Sequence, residues 1–228
     1  MDNLCVGTRD DLAQVCEFEE FDKTAQPASF DPFRVQFIQG DILDEPLAAE
    51  LGKGADVIVH LAANTGDGPS VENPRLDCVT NVIGTLNYLE SARHNGVKRF
   101  VFAQAVRPWG SASRLFTKRR FPFIYIYDLV RAIGLAASRP AVGGEVFQIA
   151  TNAETTVGEI LEMLKGEFAR RGMVHIEYRH GDKRTGDVMR NYFDTSKARR
   201  MLGWEMQVRL SEGIGRAIEY FLVQKKLS

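Results

Sequence analysis

The feature that most constrains this fold is a nearly continuous apolar run at residues 56–61, which reads Asp-Val-Ile-Val-His-Leu. A run without polar alternation is typical of a strand whose two faces are both covered. A second apolar run follows at residues 99–103. Strand, helix and strand in this order predict parallel pairing through a right-handed crossover. The helix between the two runs is predicted from apolar residues at helical spacing, namely Val82, Ile83, Leu86 and Leu89.

The same alternation extends along the rest of the chain. A further strand is predicted at residues 35–38, and the second half offers strands at 123–126 and 146–149. Helices are predicted from residue 128 to residue 138, behind a Thr156–Glu159 capping box, and at the end of the chain. The pattern predicts an α/β fold with a doubly wound parallel sheet and a smaller C-terminal α/β part.

Composition limits the classes of protein that remain. The 228 residues are 44% hydrophobic, and 29 basic residues stand against 30 acidic ones, which excludes a disordered chain. A net charge of −1 argues against a broad surface for nucleic acid or for an anionic membrane. No apolar run is long enough to span a bilayer. Three cysteines without a Cys-x-x-Cys pair favour free thiols in a reducing cytoplasm.

Candidate ligand-binding residues lie where the predicted strands end, because open α/β sheets bind ligands beyond the carboxyl ends of their strands. Asp41 follows the strand at 35–38, and the next strand ends in residues 60–64, where the small side chains of Ala62 and Ala63 would let a ligand approach the backbone. Asn81 stands at the start of the helix after that. Asp41 and Asn81 also fit a purely structural role, since either could cap a helix.

Four short motifs follow one another along the first part of the chain: Asp2-Asn3-Leu4, Gly40-Asp41-Ile42, His60-Leu61-Ala62-Ala63 and Asn81-x-x-Gly84-Thr85. Later segments continue the series at residues 125–132, at residues 144–150, at Arg184-x-Gly186-Asp187 and at Leu202-Gly203-Trp204. Together they resemble the NAD-dependent epimerase/dehydratase family, the extended short-chain dehydrogenases. The resemblance covers most of the chain. It implies a Rossmann-like sheet, NAD as the cofactor and a nucleotide-sugar, such as a UDP-sugar, as the partner.

The resemblance also implies which residues bind these ligands. Asp2 would hold the adenosine ribose, and Asp41 with Ile42 would contact adenine. Arg184 would pair with the diphosphate of the nucleotide-sugar, and Asp187 would contact the nucleotide. The complete cofactor-binding set implied is Asp2, Asn3, Asp41, Ile42, Leu61, Ala62, Ala63 and Asn81. The dinucleotide-binding region would be residues 1–120, and residues 121–228 would hold the last sheet elements and the nucleotide-sugar-binding part.

The sequence departs from the family in features that its chemistry needs. It contains no glycine-rich dinucleotide turn, and it opens at the motif that the family places after its second strand. We therefore expect the sheet to lack its first strand. The family's base is a tyrosine with a lysine four residues later. The residues four positions after the six tyrosines are instead Ala92, Leu129, Arg131, Asp182, Ser196 and Gln224, so we assign no catalytic residue.

Two functions remain open. The first is an NAD-dependent nucleotide-sugar epimerase/dehydratase-like protein that transfers a hydride at a sugar carbon, through substitute residues or completed by another chain. The second is a truncated, catalytically inactive relative that binds nucleotide or nucleotide-sugar, or acts as a pairing partner. Binding of nucleic acid at the basic residues 118–120 and 183–184 is disfavoured, because the flanking residues lack the alternating aromatic side chains that stack on bases. A sheet without a central strand leaves unpaired edges, so we expect either a homo-oligomer that pairs strands between copies or a chain of only marginal stability.

Overall fold

The computed structural model describes residues 1–21, 33–64, 71–104, 120–121, 123–173 and 193–227. The chain forms two compact units, Met1–Ala103 and Gln104–Ser228. The assignment of binding roles to residues 1–120 and 121–228 remains a prediction.

The first unit alternates strands and helices. Its elements are α1 (Arg9–Ala13), β1 (Phe18–Phe21), β2 (Val35–Ile38), α2 (Glu45–Leu51), β3 (Val57–His60), α3 (Pro74–Cys78), a π-helical turn (Val79–Gly84), α4 (Thr85–His94) and β4 (Arg99–Phe102). β1 pairs with β2 and β3 pairs with β4, both in parallel, and Asp2 forms a parallel bridge to Gln39 just beyond β2. The three predicted strands of this unit and their parallel direction are confirmed.

One helical segment, α3 to α4 through the π-helical turn, runs from Pro74 to His94 without a break. It begins earlier than the apolar spacing predicts, because the Asn73 side chain caps it by accepting from the Leu76 N–H at 3.1 Å. α4 packs closely on α2, where Ser91 Oγ donates to the Ala48 carbonyl at 2.5 Å. The core of the unit is Ile42, Ala48 and Tyr88, with Ile58 and Phe100 packed against it.

The part of the second unit that the structure describes consists mainly of helices. Its elements are β5 (Arg120–Phe121), α5 (Ile126–Ser138), β6 (Thr155–Thr156), α6 (Val157–Arg170), α7 (Ser196–Leu202) and α8 (Leu210–Leu227). β5 and β6 are antiparallel. The predicted capping box at the start of α6 is confirmed, since Thr156 Oγ1 accepts from the Glu159 N–H at 3.0 Å and Glu159 Oε2 accepts from the Thr156 N–H at 2.6 Å.

Two strand predictions in this unit are wrong. Residues 146–149 have the alternating burial of a strand, since Phe147 and Ile149 pack on the core while Val146 is 78% exposed. Among the residues that the structure describes, however, no neighbouring strand pairs with this segment. The segment predicted as a strand at 123–126 is not a strand either, since residues 123–125 belong to no strand and α5 begins at Ile126. Alternation predicts which side chains are buried, but a strand also needs a hydrogen-bonding partner.

A fully buried carboxylate anchors the second unit. Asp128 on α5 accepts from the backbone N–H groups of Gln207 and Val208, at 3.0 and 2.9 Å, and from Arg131 Nη1 at 3.0 Å. Trp204 Nε1 in turn donates to the Asp128 carbonyl at 2.8 Å. Gly203, with φ of +67°, ends α7 in the left-handed conformation that lets Trp204 turn back. The Leu-Gly-Trp motif therefore serves the fold of this unit.

All three cysteines are free thiols, as the sequence predicts, and Cys5 and Cys78 are exposed. None of the described helices is both long enough and apolar enough to cross a membrane.

Candidate functional site

The first group of predicted site residues meets just beyond the carboxyl end of β2. The Asp2 N–H donates to the Ile38 carbonyl at 3.1 Å, and the Gly40 N–H donates to the Asp2 carbonyl at 3.0 Å. These two bonds set Asp2 beside the end of β2. Asn3 Nδ2 donates to Asp41 Oδ2 at 3.3 Å. The structure thus brings Asp2, Asn3 and Asp41 together, although 38 residues separate Asn3 from Asp41.

Local turns orient the two carboxylates of this group. Asp2 Oδ1 accepts from the Leu4 N–H at 2.7 Å, and Asp41 Oδ1 accepts from the Leu43 N–H at 2.9 Å. Leu4 itself has φ of +60°, a conformation that is uncommon for leucine and costs free energy. Within the described part of the chain no donor contacts Asp2 Oδ2, and Asp2 is exposed. One charged oxygen at the end of β2 is therefore available to a ligand.

Ile42 lies next to this group but is buried, with 6% of its surface exposed. It packs on Gly84, where an added Cβ would lie 2.4 Å from Ile42 Cδ1. Asn87 Nδ2 donates to the Ile42 carbonyl at 3.0 Å. The helical segment 74–94 therefore holds the loop after β2 in place. Contact between Ile42 and adenine stays a prediction.

The second group lies in the loop after β3, where Leu61, Ala62 and Ala63 are exposed. Asn81 binds this loop through both backbone groups of Asn64. Its Oδ1 accepts from the Asn64 N–H at 2.7 Å, and its Nδ2 donates to the Asn64 carbonyl at 3.0 Å. Asn81 thus lies inside the helical segment and does not cap it, and its part in binding the cofactor stays a prediction.

The end of β3 is tied to the same helical segment by His60. Thr85 Oγ1 donates its single hydrogen to the Asn81 carbonyl at 2.7 Å, so it accepts from His60 Nε2 at 3.1 Å. The imidazole is 4% exposed and stacks near Tyr88 and Phe102. Burial lowers the pKa of His60 below its ordinary value, which favours the neutral ring.

Tyr88 is a buried tyrosine close to both groups. Burial, and after it the negative charges of Asp44 and Asp41, raises the pKa of Tyr88 to about 12. A general base works best with a pKa near the operating pH, so this phenol is unsuited to that task.

Sequence reasoning missed one residue of the site, Asp77, and gave the side chain of Asn64 no role of its own. Asp77 Oδ1 accepts from Asn64 Nδ2 at 3.2 Å and from Asn81 Nδ2 at 3.1 Å. The signal that could have found Asp77 is its spacing, one helical turn before Asn81 on the same helix face. Arg184 and Asp187 lie outside the described residues. Within the described ranges, no group of three or more His, Cys, Asp or Glu side chains is placed to hold a metal ion.

Parallel strand pairs with polar side chains placed beyond their carboxyl ends are typical of a Rossmann-like α/β protein. The sequence profile of the NAD dependent epimerase/dehydratase family matches residues 10–119, and that of GDP-mannose 4,6 dehydratase matches residues 114–217. The two profiles together span residues 10–217 and bear out the resemblance to the NAD-dependent epimerase/dehydratase family that the motifs predict.

Three similar proteins illustrate the relationship. A UDP-glucose 4-epimerase of Mycolicibacterium smegmatis is 23% identical over 265 residues, covering 82% of this chain and 83% of the relative. The structure of a UDP-glucose 4-epimerase of Thermotoga maritima with UDP-glucose is 22% identical, with a TM-score of 0.71 over 96% of this chain and 94% of that one. A dTDP-glucose 4,6-dehydratase of Streptomyces venezuelae with NAD bound is 21% identical, with a TM-score of 0.74 over 97% and 85%.

These similarities confirm the Rossmann-like fold class. The aligned length of 265 residues exceeds the 228 residues of this chain. The aligned region of the Mycolicibacterium protein therefore contains residues that have no equivalent in this chain.

Proposed function

We propose that this chain is a nucleotide-sugar epimerase/dehydratase-like protein that binds NAD in its first unit. The observation that carries the proposal is the exposed Asp2 carboxylate beside the end of β2, whose Oδ2 is open to a ligand. A carboxylate at this point of a Rossmann-like sheet accepts hydrogen bonds from ribose hydroxyls. Asn3 and Asp41, which are bonded to each other, supply further polar atoms for the adenosine half.

The described residues fit the adenosine half of NAD better than its pyrophosphate. Asp2, Asn3, Asp41 and Ile42 would hold adenosine, and the exposed loop at residues 61–63 leaves its backbone open to the rest of the dinucleotide. The sequence contains no glycine-rich turn to cradle the phosphates, so we expect weaker binding than a complete cradle provides. When bound, NAD supplies a hydride acceptor.

The partner that we propose is a nucleotide-sugar. The similar Thermotoga maritima structure contains UDP-glucose, which favours a UDP-sugar here. Arg184 and Asp187 would bind its diphosphate and nucleotide, because a guanidinium pairs with phosphate oxygens through two parallel hydrogen bonds. A cytoplasmic location and a homo-oligomeric state belong to the same proposal.

We further propose that the chain does not by itself transfer hydride at a sugar carbon. None of its six tyrosines has a lysine four residues later, and the pKa of Tyr88 is raised away from neutrality. The longer relative has residues without a counterpart here, and we propose that they align between Ala103 and Phe121 of this chain. The family carries its tyrosine and lysine in that region. Loss of the acid–base group alone costs roughly a hundred- to ten-thousand-fold in rate.

Calorimetric titration of the purified chain with AMP and with NAD⁺ tests the proposal. The wild type should bind both, and Asp2→Asn should weaken both by about tenfold, because a charged hydrogen-bond acceptor is lost. Asp10→Asn is the matched control, since it removes the same charge from an exposed position on α1 and should leave both affinities unchanged. A wild type that binds neither AMP nor NAD⁺ would overturn the proposed cofactor site.

A further inference from the structure

Three polar residues repeat every four positions along the helical segment 74–94, and all three bond to the chain at the end of β3. Thr85 bonds to His60, Asn81 bonds to the backbone of Asn64, and Asp77 bonds to the Asn64 side chain. Asp77 also accepts from Asn81 Nδ2 through the same oxygen, Oδ1. Residues 77, 81 and 85 therefore present one continuous polar row to the loop after β3.

The carboxylate of Asp77 selects the orientation of two amide groups. A side-chain amide can rotate to exchange its oxygen and nitrogen, and only one orientation lets Asn81 accept from the Asn64 N–H and donate to the Asn64 carbonyl. In the opposite orientation, Asn81 Oδ1 would face the negatively charged Asp77 oxygen. The charged acceptor therefore favours the orientation in which Asn81 binds the loop, and charge-assisted hydrogen bonds are stronger than neutral ones.

We propose that Asp77 is a positioning residue: through the amides of Asn64 and Asn81, it fixes the loop at residues 61–64 in the conformation that receives the dinucleotide beyond its adenosine half. This inference rests on the proposed function. It differs from a general structural role, because Asp77 contacts the loop after β3 through these amides, whereas the group proposed to bind adenosine (Asp2, Asn3 and Asp41) lies at the end of β2.

The test compares Asp77→Ala with the conservative Asp77→Asn, whose carbonyl oxygen can still accept from both amides. Glu72→Ala is the matched control, because Glu72 is an exposed acidic residue just before the same helical segment. Hydrogen exchange on the unliganded chain reports the loop directly, since the Asn64 N–H donates to Asn81 Oδ1. Calorimetry with NAD⁺ and AMP then separates the two halves of the site.

In Asp77→Ala, exchange at Asn64 should accelerate about tenfold, while exchange in β3 and β4 stays at the wild-type rate. NAD⁺ should bind about tenfold more weakly and AMP should bind unchanged. Asp77→Asn should bring the exchange rate at Asn64 and the NAD⁺ affinity most of the way back to their wild-type values. Glu72→Ala should change neither quantity.

Unchanged exchange at Asn64 in Asp77→Ala, or equal losses of AMP and NAD⁺ affinity, would overturn the proposal. If the wild type binds neither ligand, the proposed function fails, whereas exchange at Asn64 still decides whether Asp77 fixes the loop.

Discussion

The side-chain amide of Asn81 bonds both backbone polar groups of Asn64, accepting from its N–H at 2.7 Å and donating to its carbonyl at 3.0 Å. Seventeen residues separate the two in sequence. The loop after β3 therefore depends on a side chain of the helical segment 74–94 for its backbone hydrogen bonds. The same segment supports the loop after β2 through Gly84 and Asn87, so one helix aligns both groups of the candidate site.

Asn81→Ala removes both of these bonds and should lower the free energy of unfolding by about 1–3 kcal/mol, because it leaves backbone groups of Asn64 unsatisfied. Asn81→Asp keeps the acceptor for the Asn64 N–H but sets a second carboxylate against Asp77. It should be at least as destabilising at pH 7 and recover at acidic pH. Urea unfolding at several pH values measures both variants. Wild-type stability of Asn81→Asp at pH 7 would show that the amide is dispensable.

Gly84→Ala should destabilise the chain by about 1–2 kcal/mol, although alanine is the better helix former. The added methyl would meet Ile42 Cδ1 at 2.4 Å, so overpacking outweighs the gain in helix propensity. Gly134→Ala on α5 is the control, because an added Cβ there meets no atom within 4 Å and should be neutral or stabilising. Combining Gly84→Ala with Ile42→Ala should cost less than the sum of the single changes. Thermal unfolding that shows simple additivity would rule out this contact.

Asp128→Asn should lower the free energy of unfolding by about 1–3 kcal/mol, because one amide nitrogen would then face N–H donors in a fully buried position. Asp128→Ala should cost more, about 3–5 kcal/mol, since the charge of Arg131 also loses its buried partner. Glu162→Gln is the control, because its pair with Lys165 is exposed and such pairs contribute under about 1 kcal/mol. Denaturant titration of the three variants checks the order.

His60 should make the fold sensitive to acid. Burial lowers its pKa in the folded chain, whereas the unfolded chain titrates near pH 6.5. The unfolded state then binds more protons, so the contribution of His60 is complete above about pH 6.5 and is lost as pH falls through the folded-state pKa. His60→Gln should flatten the stability profile between pH 8 and pH 5. Stability profiles of the wild type and His60→Gln that coincide over this pH range would contradict this assignment.

Much of this fold could be predicted from sequence, because apolar runs and glycine positions are local signals. Such local signals correctly predict the strands at 35–38, 56–61 and 99–103, and they also predict the Thr156 capping box. The segment at 146–149 could not be predicted correctly, because a strand depends on a distant partner that alternation does not specify. Asp77 was missed for a related reason. Its role arises from Asn64, which lies in a different loop and approaches it only in the folded chain.

One NMR sample can show whether the chain binds a dinucleotide without epimerising a nucleotide-sugar. It contains the purified chain, NAD⁺ and UDP-glucose, and saturation of the protein methyl groups is followed on the ligand protons. We predict saturation transfer to the adenine and adenosine-ribose protons of NAD⁺, with no UDP-galactose signal appearing over a day. Absence of transfer to NAD⁺ would show that the chain does not bind the dinucleotide, and growth of the UDP-galactose anomeric signal would show that it epimerises the sugar.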